Sequence, residues 1–331
     1  MRQLLTKLMD IFILLVFLFL LFAIELIYFK IADKYSIIDH PNHRSSHTKV
    51  TIRGGGIIFS ISLLLGSLYF GWQYSYFLTG LFLISLISFI DDIKTISNRI
   101  RISFHLIAVA LLFYQLNIYH LPFYWIALGF IFVIGTINAI NFMDGINGIT
   151  GGFGLVTMLT LYHINKHIIL FTNETYLILP VLALLVFNFF NFRIKARCFA
   201  GDAGSVSLAF IILFFLLQLI IKKNNLNYVL LLLVYGLDTV ITILFRLIRK
   251  ENVFEAHRGH FYQFLANEKK IPHLVIAALY TFIQAIINII LLNFLFRSIV
   301  SLIVSILIAA LVFILIRLYL EGPRKLFNIK Q

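Results

Sequence analysis

Five short polar segments interrupt an otherwise apolar chain, and each carries residue types suited to phosphate or metal chemistry. The first runs Asp39-His40-Pro41-Asn42-His43-Arg44-Ser45-Ser46-His47 and continues to Arg53-Gly54-Gly55-Gly56. Arg44 and His47 can donate to phosphate, and glycines allow close backbone approach. A solvated basic loop, with glycines that let the second helix pack tightly, is the competing reading. The second segment is Asp91-Asp92, two adjacent carboxylates at the end of an apolar run. Such groups need an ion-pair partner or a metal, and Lys94, Arg99 and Arg101 follow closely enough to form an ion-pair cluster. The third spans Asn138 to Gly148, with three Asn, Asp144 and two Gly. Asn141 and Asp144 share a face if the segment is helical. A helix C-cap and turn would use the same residues. The fourth is Phe199-Ala200-Gly201-Asp202-Ala203-Gly204-Ser205, where Asp202 can cap a helix or hold a metal–phosphate beside free N–H groups. The fifth is His257-Arg258-Gly259-His260-Phe261-Tyr262-Gln263, dense in side chains that bind phosphates and sugar hydroxyls. Zinc is the sharper alternative there, but the two histidines lack thiolate partners and no loop has zinc-like ligand spacing. Together the five sets suit Mg²⁺ held between protein oxygens and phosphate. No G-x-x-x-x-G-K-[ST] and no strand-linked G-x-G-x-x-G is present, which excludes a P-loop ATPase and a dinucleotide enzyme.

The elements that must position these groups are membrane spans. Of 331 residues, 61% are hydrophobic and only 12% charged, and the mean hydropathy is +0.98. One soluble core cannot hide that much apolar surface. The composition excludes a soluble enzyme, a disordered chain and a nucleic-acid partner. It predicts an all-α, polytopic integral membrane protein of about 11 (10–11) transmembrane helices. The apolar runs lie near 11–32, 57–72, 77–90, 102–118, 123–139, 152–164, 175–190, 205–221, 228–245, 274–296 and 299–319, the second and third being the weakest. The chain reads as a single transmembrane domain over 1–331 without internal repeats. Alternating the runs sorts the connections onto two faces, and 21 of the 27 Lys and Arg fall on the face that carries all five polar segments. The positive-inside rule makes that face cytoplasmic, with the N-terminus outside and the C-terminus inside. Glu25 and Asp238 lie within spans and are functional candidates by position, with Lys30 and Arg246 as available partners. A single cysteine, Cys198, allows no intramolecular disulfide.

The acidic pair, NAINFMDGINGITGG, FAGDAGS and HRGHFYQ, in this order, resemble the polyprenyl-phosphate N-acetylaminosugar-1-phosphate transferase family. That family includes the phospho-MurNAc-pentapeptide translocase of peptidoglycan synthesis. The DHPNHRSSH…RGGG start and EAHRGHFYQ are most similar to the O-antigen-initiating branch. The resemblance covers about Asp39 to Gln263. It implies a cytoplasmic-face active-site cleft in a bacterial plasma membrane, dependence on Mg²⁺ (or Mn²⁺), and transfer of a sugar 1-phosphate from a UDP-N-acetylamino sugar to undecaprenyl phosphate. It further implies that Asp202 is the metal carboxylate, joined by Asn141. Asp91, Asp92 and Asp144 match the remaining catalytic acids, Phe199 the aromatic that stacks on uracil, and Asn147 the position that reads the uracil edge. Arg258, with His257 and His260 beside it, matches the loop that meets diphosphate and sugar. Arg44, His47 and Gln263 complete the expected substrate contacts. Two departures stand out. Many members carry Asp where this chain has Asn147, and Thr51-Ile52-Arg53 lacks a proline common before the glycines, which leaves the roles of Lys49 and Arg53 open.

Two other classes compete. A transporter or lipid-linked-sugar flippase would place polar groups at the bilayer midplane or in both sets of loops. Here they gather on one face. A phosphatidyltransferase acting on CDP-alcohols would show a D-G-x-x-A-R type signature, which the chain lacks. The amino sugar, the glycan pathway and a homodimer are left open. The topology has a direct check. Tags in loops 33–56, 140–151 and 246–273 are expected to report as cytoplasmic, and a tag beside Lys222-Lys223 as external. An external report from loop 246–273 would break the one-face arrangement.

Overall fold

A computed structural model describes residues 2–39, 50–253, 255, 258–294 and 298–327. Thirteen α-helices follow along the described chain: α1 Arg2–Lys34, α2 Ile58–Phe70, α3 Ser75–Ile93, α4 Asn98–Gln115, α5 Phe123–Met143, α6 Ile149–His167, α7 Glu174–Asn191, α8 Gly201–Lys223, α9 Leu233–Ile248, α10 Phe261–Asn267, α11 His273–Phe294, α12 Ile299–Glu321 and α13 Pro323–Phe327. Two 3₁₀ segments, Gly55–Ile57 and Leu226–Leu232, lead into α2 and α9. The only sheet among the described residues is the two-residue antiparallel pair β1 Ile38–Asp39 and β2 Thr51–Ile52. A chain this apolar has to satisfy its backbone internally, and helices do so within each segment. The protein is an all-α polytopic membrane protein.

Each of the eleven apolar runs has become a helix, but only eight of the described helices are long and apolar enough to cross a membrane by length and composition. The three that fall short are α2, α4 and α6. The first is only 13 residues long. In α4 the first turns carry Asn98, Arg99, Arg101, Ser103 and His105. In α6 a glycine-rich start and a Lys166-His167 end dilute the apolar stretch. The third run, expected to be weak, qualifies as α3 because its helix extends to 19 residues.

The core is built around α8, whose most apolar 18-residue stretch is 83% buried, whereas that of α12 is 6% buried and lies at the periphery. Phe77 of α3 stacks on Phe214 of α8 with ring centroids 3.8 Å apart and planes 7° apart. Phe153 of α6 and Tyr235 of α9 stack at 3.9 Å. Lipid tails are as apolar as these rings, so close packing rather than transfer from water holds the helices together. At the α8 entry the chains approach closely: a Cβ on Gly204 would lie 2.5 Å from Gly56 Cα. Several buried amides bond across helices. Gln284 of α11 accepts from Val234 N and donates to Leu230 O, both at 3.0 Å, and Asn288 donates to Thr160 of α6 at 2.9 Å. These bonds tie α6, α9 and α11 together away from the end that carries the polar segments.

Candidate functional site

Asp92, near the C-terminus of α3, is the junction of the site. Its Oδ1 accepts from the backbone N–H of Asp202 and its Oδ2 from that of Ala203, each at 2.9 Å. These are free N–H groups of the first turn of α8, so the carboxylate also meets the positive end of the helix dipole. Asp92 therefore takes the capping role expected of Asp202. Arg53, which follows β2, places Nε 2.7 Å from Asp92 Oδ1 and Nη2 3.3 Å from Asp202 Oδ1. Gly201 makes the approach possible. It adopts φ +69°, and a Cβ there would lie 2.5 Å from Asp92 Oδ2.

The other acids gather around this joint. Asp91 accepts from Ile96 N at 2.6 Å and from Arg101 Nη1 at 3.1 Å. The same Arg101 nitrogen reaches Asp202 Oδ2 at 3.6 Å. Asp144 leaves the helix at φ −82°, ψ 66°, so it does not share a helical face with Asn141; instead its N–H bonds Asn141 O at 3.2 Å. Thr150 and the Gly201 N–H near the Asp144 carboxyl favour its charged form, against the larger effect of burial. Part of Asp144 stays open, but protein crowds its carboxyl, and burial pushes its pKa up to about 6. Asn141 Oδ1 accepts from Ser205 Oγ at 2.6 Å, and that hydroxyl has a second acceptor in Gly201 O at 2.8 Å.

The loop before α8 supplies the aromatic candidate. Residues 52–56 pair with 198–200: Phe199 N donates to Ile52 O at 2.8 Å, Gly55 N to Phe199 O at 2.9 Å and Gly56 N to Ala200 O at 3.1 Å. The glycine triplet thus serves this pairing, which holds the half-buried Phe199 beside Asp202. Asn147 is buried, and its Nδ2 donates to Arg193 O at 2.9 Å and Ile194 O at 3.3 Å. Both amide hydrogens are spent, which leaves the acceptor Oδ1 for a ligand.

The segment from Arg258 to Gln263 joins the site through α10. Tyr262, fully buried, donates to Phe142 O at 3.0 Å. Gln263 is buried, and its Oε1 has no hydrogen-bond partner among the described residues. His260 is 2% exposed, with Nδ1 3.4 Å from Asp238 Oδ1, so it lies inside the protein rather than at an open surface. Asp238 does not pair with Arg246, which turns to Glu251 and the carbonyls of Asn252, Val253 and Glu255. It accepts instead from Phe261 N at 2.9 Å, Tyr262 N at 3.2 Å and Tyr280 Oη at 2.7 Å. Arg317 of α12, 1% exposed, donates to Gly259 O at 2.9 Å. Arg258 is exposed and lines a cavity of about 300 Å³ with Arg249, Glu251 and Lys325; none of the four site aspartates lines it. Arg44, His47 and His257 lie outside the described residues.

The acid cluster fits a hard divalent ion of one kind. Asp91, Asp92, Asp144 and Asp202 face Arg53 and Arg101, a formal excess of two negative charges. No three His, Cys, Asp or Glu among the described residues form a ready cage. Mg²⁺ needs none, since it keeps waters and uses one or two carboxylates plus substrate phosphates. Asp92 is sealed by its donors, and each Asp91 oxygen already accepts one hydrogen bond. Asp202 has the loosest contacts and a partly open side chain, and Ser205 can release Asn141 by bonding Gly201 O alone. Arg53, whose role the sequence left open, is the cation that joins Asp92 to Asp202, while the expected Arg101 pairs with Asp91.

The structure thus defines an all-α membrane protein with an acidic cluster at one end of its bundle. Residues 74–220 match the glycosyl transferase family 4 model. A probable undecaprenyl-phosphate N-acetylglucosaminyl 1-phosphate transferase of Bacillus subtilis is 26% identical over 70% of each chain. The undecaprenyl-phosphate alpha-N-acetylglucosaminyl 1-phosphate transferase of Escherichia coli K12 is 28% identical over 82% of this chain and 77% of its own. A phospho-N-acetylmuramoyl-pentapeptide-transferase of Dictyoglomus thermophilum is 29% identical over 46% of this chain and 55% of its own. The chain is thus similar to proteins named as undecaprenyl-phosphate N-acetylglucosaminyl 1-phosphate and phospho-N-acetylmuramoyl-pentapeptide transferases, the kind of protein its motifs resemble.

The joint at Gly201 yields a stability prediction. Gly201→Ala must hold a left-handed backbone and clash with Asp92, at a cost of about 1–3 kcal/mol. A thermal unfolding midpoint equal to that of the parent protein, in the same detergent, would contradict this geometry.

Proposed function

We propose that the protein transfers an N-acetylamino-sugar 1-phosphate from a UDP-sugar to undecaprenyl phosphate, as the first membrane step of a surface polysaccharide such as O-antigen. The observation that carries this reading is the meeting of four aspartates, Arg53, Arg101, Phe199 and Asn147 at one end of the bundle. That end is the cytoplasmic one by charge, within a bacterial inner membrane. The names of the relatives support the substrate class. The decisive assay offers the purified full chain undecaprenyl phosphate, Mg²⁺ and a panel of UDP-N-acetyl sugars. A polyprenyl-diphosphate-sugar and UMP are expected; no lipid product with any sugar, or transport of a lipid-linked sugar without synthesis, would overturn the reading.

The reaction needs positioning and charge stabilisation more than covalent help. An oxygen of the lipid phosphate attacks the β-phosphorus of the UDP-sugar. The bond from that phosphorus to the bridging oxygen breaks, and UMP leaves with the oxygen. A phosphate monoester is largely a dianion at pH 7 and needs no strong base, so Asp91 and Asp144 serve at most as modest proton acceptors. A divalent ion at Asp202, with Asn141 beside it, supplies charge neutralisation across the diphosphate when bound. Phe199 stacks on the base, and Asn147 Oδ1 accepts the uracil N3–H, which cytosine lacks. Arg258 and the flanking histidines meet the diphosphate and sugar. That contact requires the 258–260 segment to approach the acids, because His260 is now held by Asp238 and Arg258 faces a separate cavity.

Two predictions follow from this chemistry. Asn147→Ala is expected to lower the preference for UDP- over CDP-sugars by on the order of tenfold, the worth of one unmade hydrogen bond; unchanged selectivity would move base reading elsewhere. The second is a pH dependence. Asp144 titrates near 6, so below that pH its carboxyl is neutral and the cluster carries one negative charge fewer. Mn²⁺ affinity of the nucleotide-free protein should rise as pH increases through about 6. Asp144→Asn should remove that step; a step of equal size in the variant would assign it to another group.

A further inference from the structure

Arg53 projects from a fixed point. Its N–H donates to Ile37 O at 3.1 Å, and its carbonyl accepts from the Tyr28 hydroxyl. The side chain is one-third exposed, with its guanidinium spanning Asp92 and Asp202. The two carboxylates depend on it unequally. Both Asp92 oxygens already accept backbone N–H groups, and the side chain is fully buried. Asp202 is different: its cationic contacts are Arg53 at 3.3 Å and Arg101 at 3.6 Å, and the nearby Asp91 carboxylate adds like charge. Arg53 therefore supplies Asp202 with a countercharge more than it supplies Asp92 with a missing hydrogen bond. A guanidinium does not deprotonate in proteins, so it can give up a carboxylate only by moving. Asp202 is also the carboxylate best placed to take a divalent ion.

We infer that Arg53 is a resident cation that occupies Asp202 Oδ1 until a divalent ion takes it over, so that ion and guanidinium compete for one oxygen. This rests on the metal-dependent reading proposed above. The arrangement keeps the acid cluster neutralised and the first turn of α8 in place before the ion binds. It also gives the displaced guanidinium, tethered at its backbone, a phosphate to meet. Arg53 is a positioning residue in this scheme. The competing role is a plain clasp between α3 and α8.

The test is Mn²⁺ binding to the full-length protein in detergent, without nucleotide, read from the electron paramagnetic resonance signal of free Mn²⁺. Arg53→Gln and Arg53→Lys are compared with the parent chain, and thermal midpoints report folding. Competition predicts that Arg53→Gln binds Mn²⁺ on the order of fivefold tighter, the worth of a partly exposed ion pair, while its turnover falls. Arg53→Lys should also tighten binding, by less, because a point charge cannot span two carboxylates as the planar fork does. A clasp predicts a lower midpoint with weaker or unchanged Mn²⁺ binding, which would overturn the inference. A charge effect alone predicts parent-like binding by Arg53→Lys, which would overturn it equally. If Arg53→Gln does not fold, Arg53→Lys decides. A parent protein that binds no Mn²⁺ would instead remove the metal-dependent reading itself.

Discussion

One carboxylate organises the polar end of this protein. Asp92 emerges from a membrane helix where an unpaired charge is costly, and it is stabilised by the N-terminus of α8 and by Arg53. The constraint works in both directions. The first turn of α8 has N–H groups that need acceptors, and Asp92 supplies them from 110 residues away. Gly201 must be a glycine for the carboxylate to reach, and β2 must run beside Cys198 and Phe199 for Arg53 to arrive. Removing Asp92 would leave two first-turn donors and a guanidinium without their shared acceptor.

The bundle explains why these groups meet at one end. Helix α8 is buried along most of its length, so its N-terminus is surrounded by the ends of α3 and α5 and the entry to α2. Each of those ends carries a polar segment. The fifth segment arrives from the other half of the protein and is held by a separate buried carboxylate, Asp238, which gathers the start of α10, Tyr280 and His260. Two buried aspartates thus each fix one part of the site. Asp92 serves the part with the metal and base candidates, and Asp238 the part with the histidine and arginine candidates.

Much of this was legible in the residues. Apolar runs mark helices because lipid leaves the backbone no alternative, and every expected run became one. The span count was less legible, since α4 and α6 mix polar residues into helices that pack against neighbours. Local chemistry was readable where it is short-range, as with Asp91-Asp92 or the turn after Met143. Partners distant in the chain were not. Nothing in sequence indicates that Asp92 rather than Asp202 caps α8, or that Asp238 ignores Arg246 eight residues on and binds the start of α10. The role of Arg53 stayed open for the same reason: its partners are Asp92 and Asp202, and no local spacing points to them.

The account's central claim is that substrate phosphates are handled at Asp202, in the pocket of charge that Asp92 organises. The most direct measurement is a structure of the protein with UDP-N-acetylglucosamine and Mn²⁺, with the ion located by anomalous scattering. The account predicts one Mn²⁺ peak between Asp202 and the diphosphate, with the uracil against Phe199 and its N3–H directed at Asn147. A nucleotide seated in the cavity beside Arg249, Arg258 and Lys325, with no ion at Asp202, would contradict it.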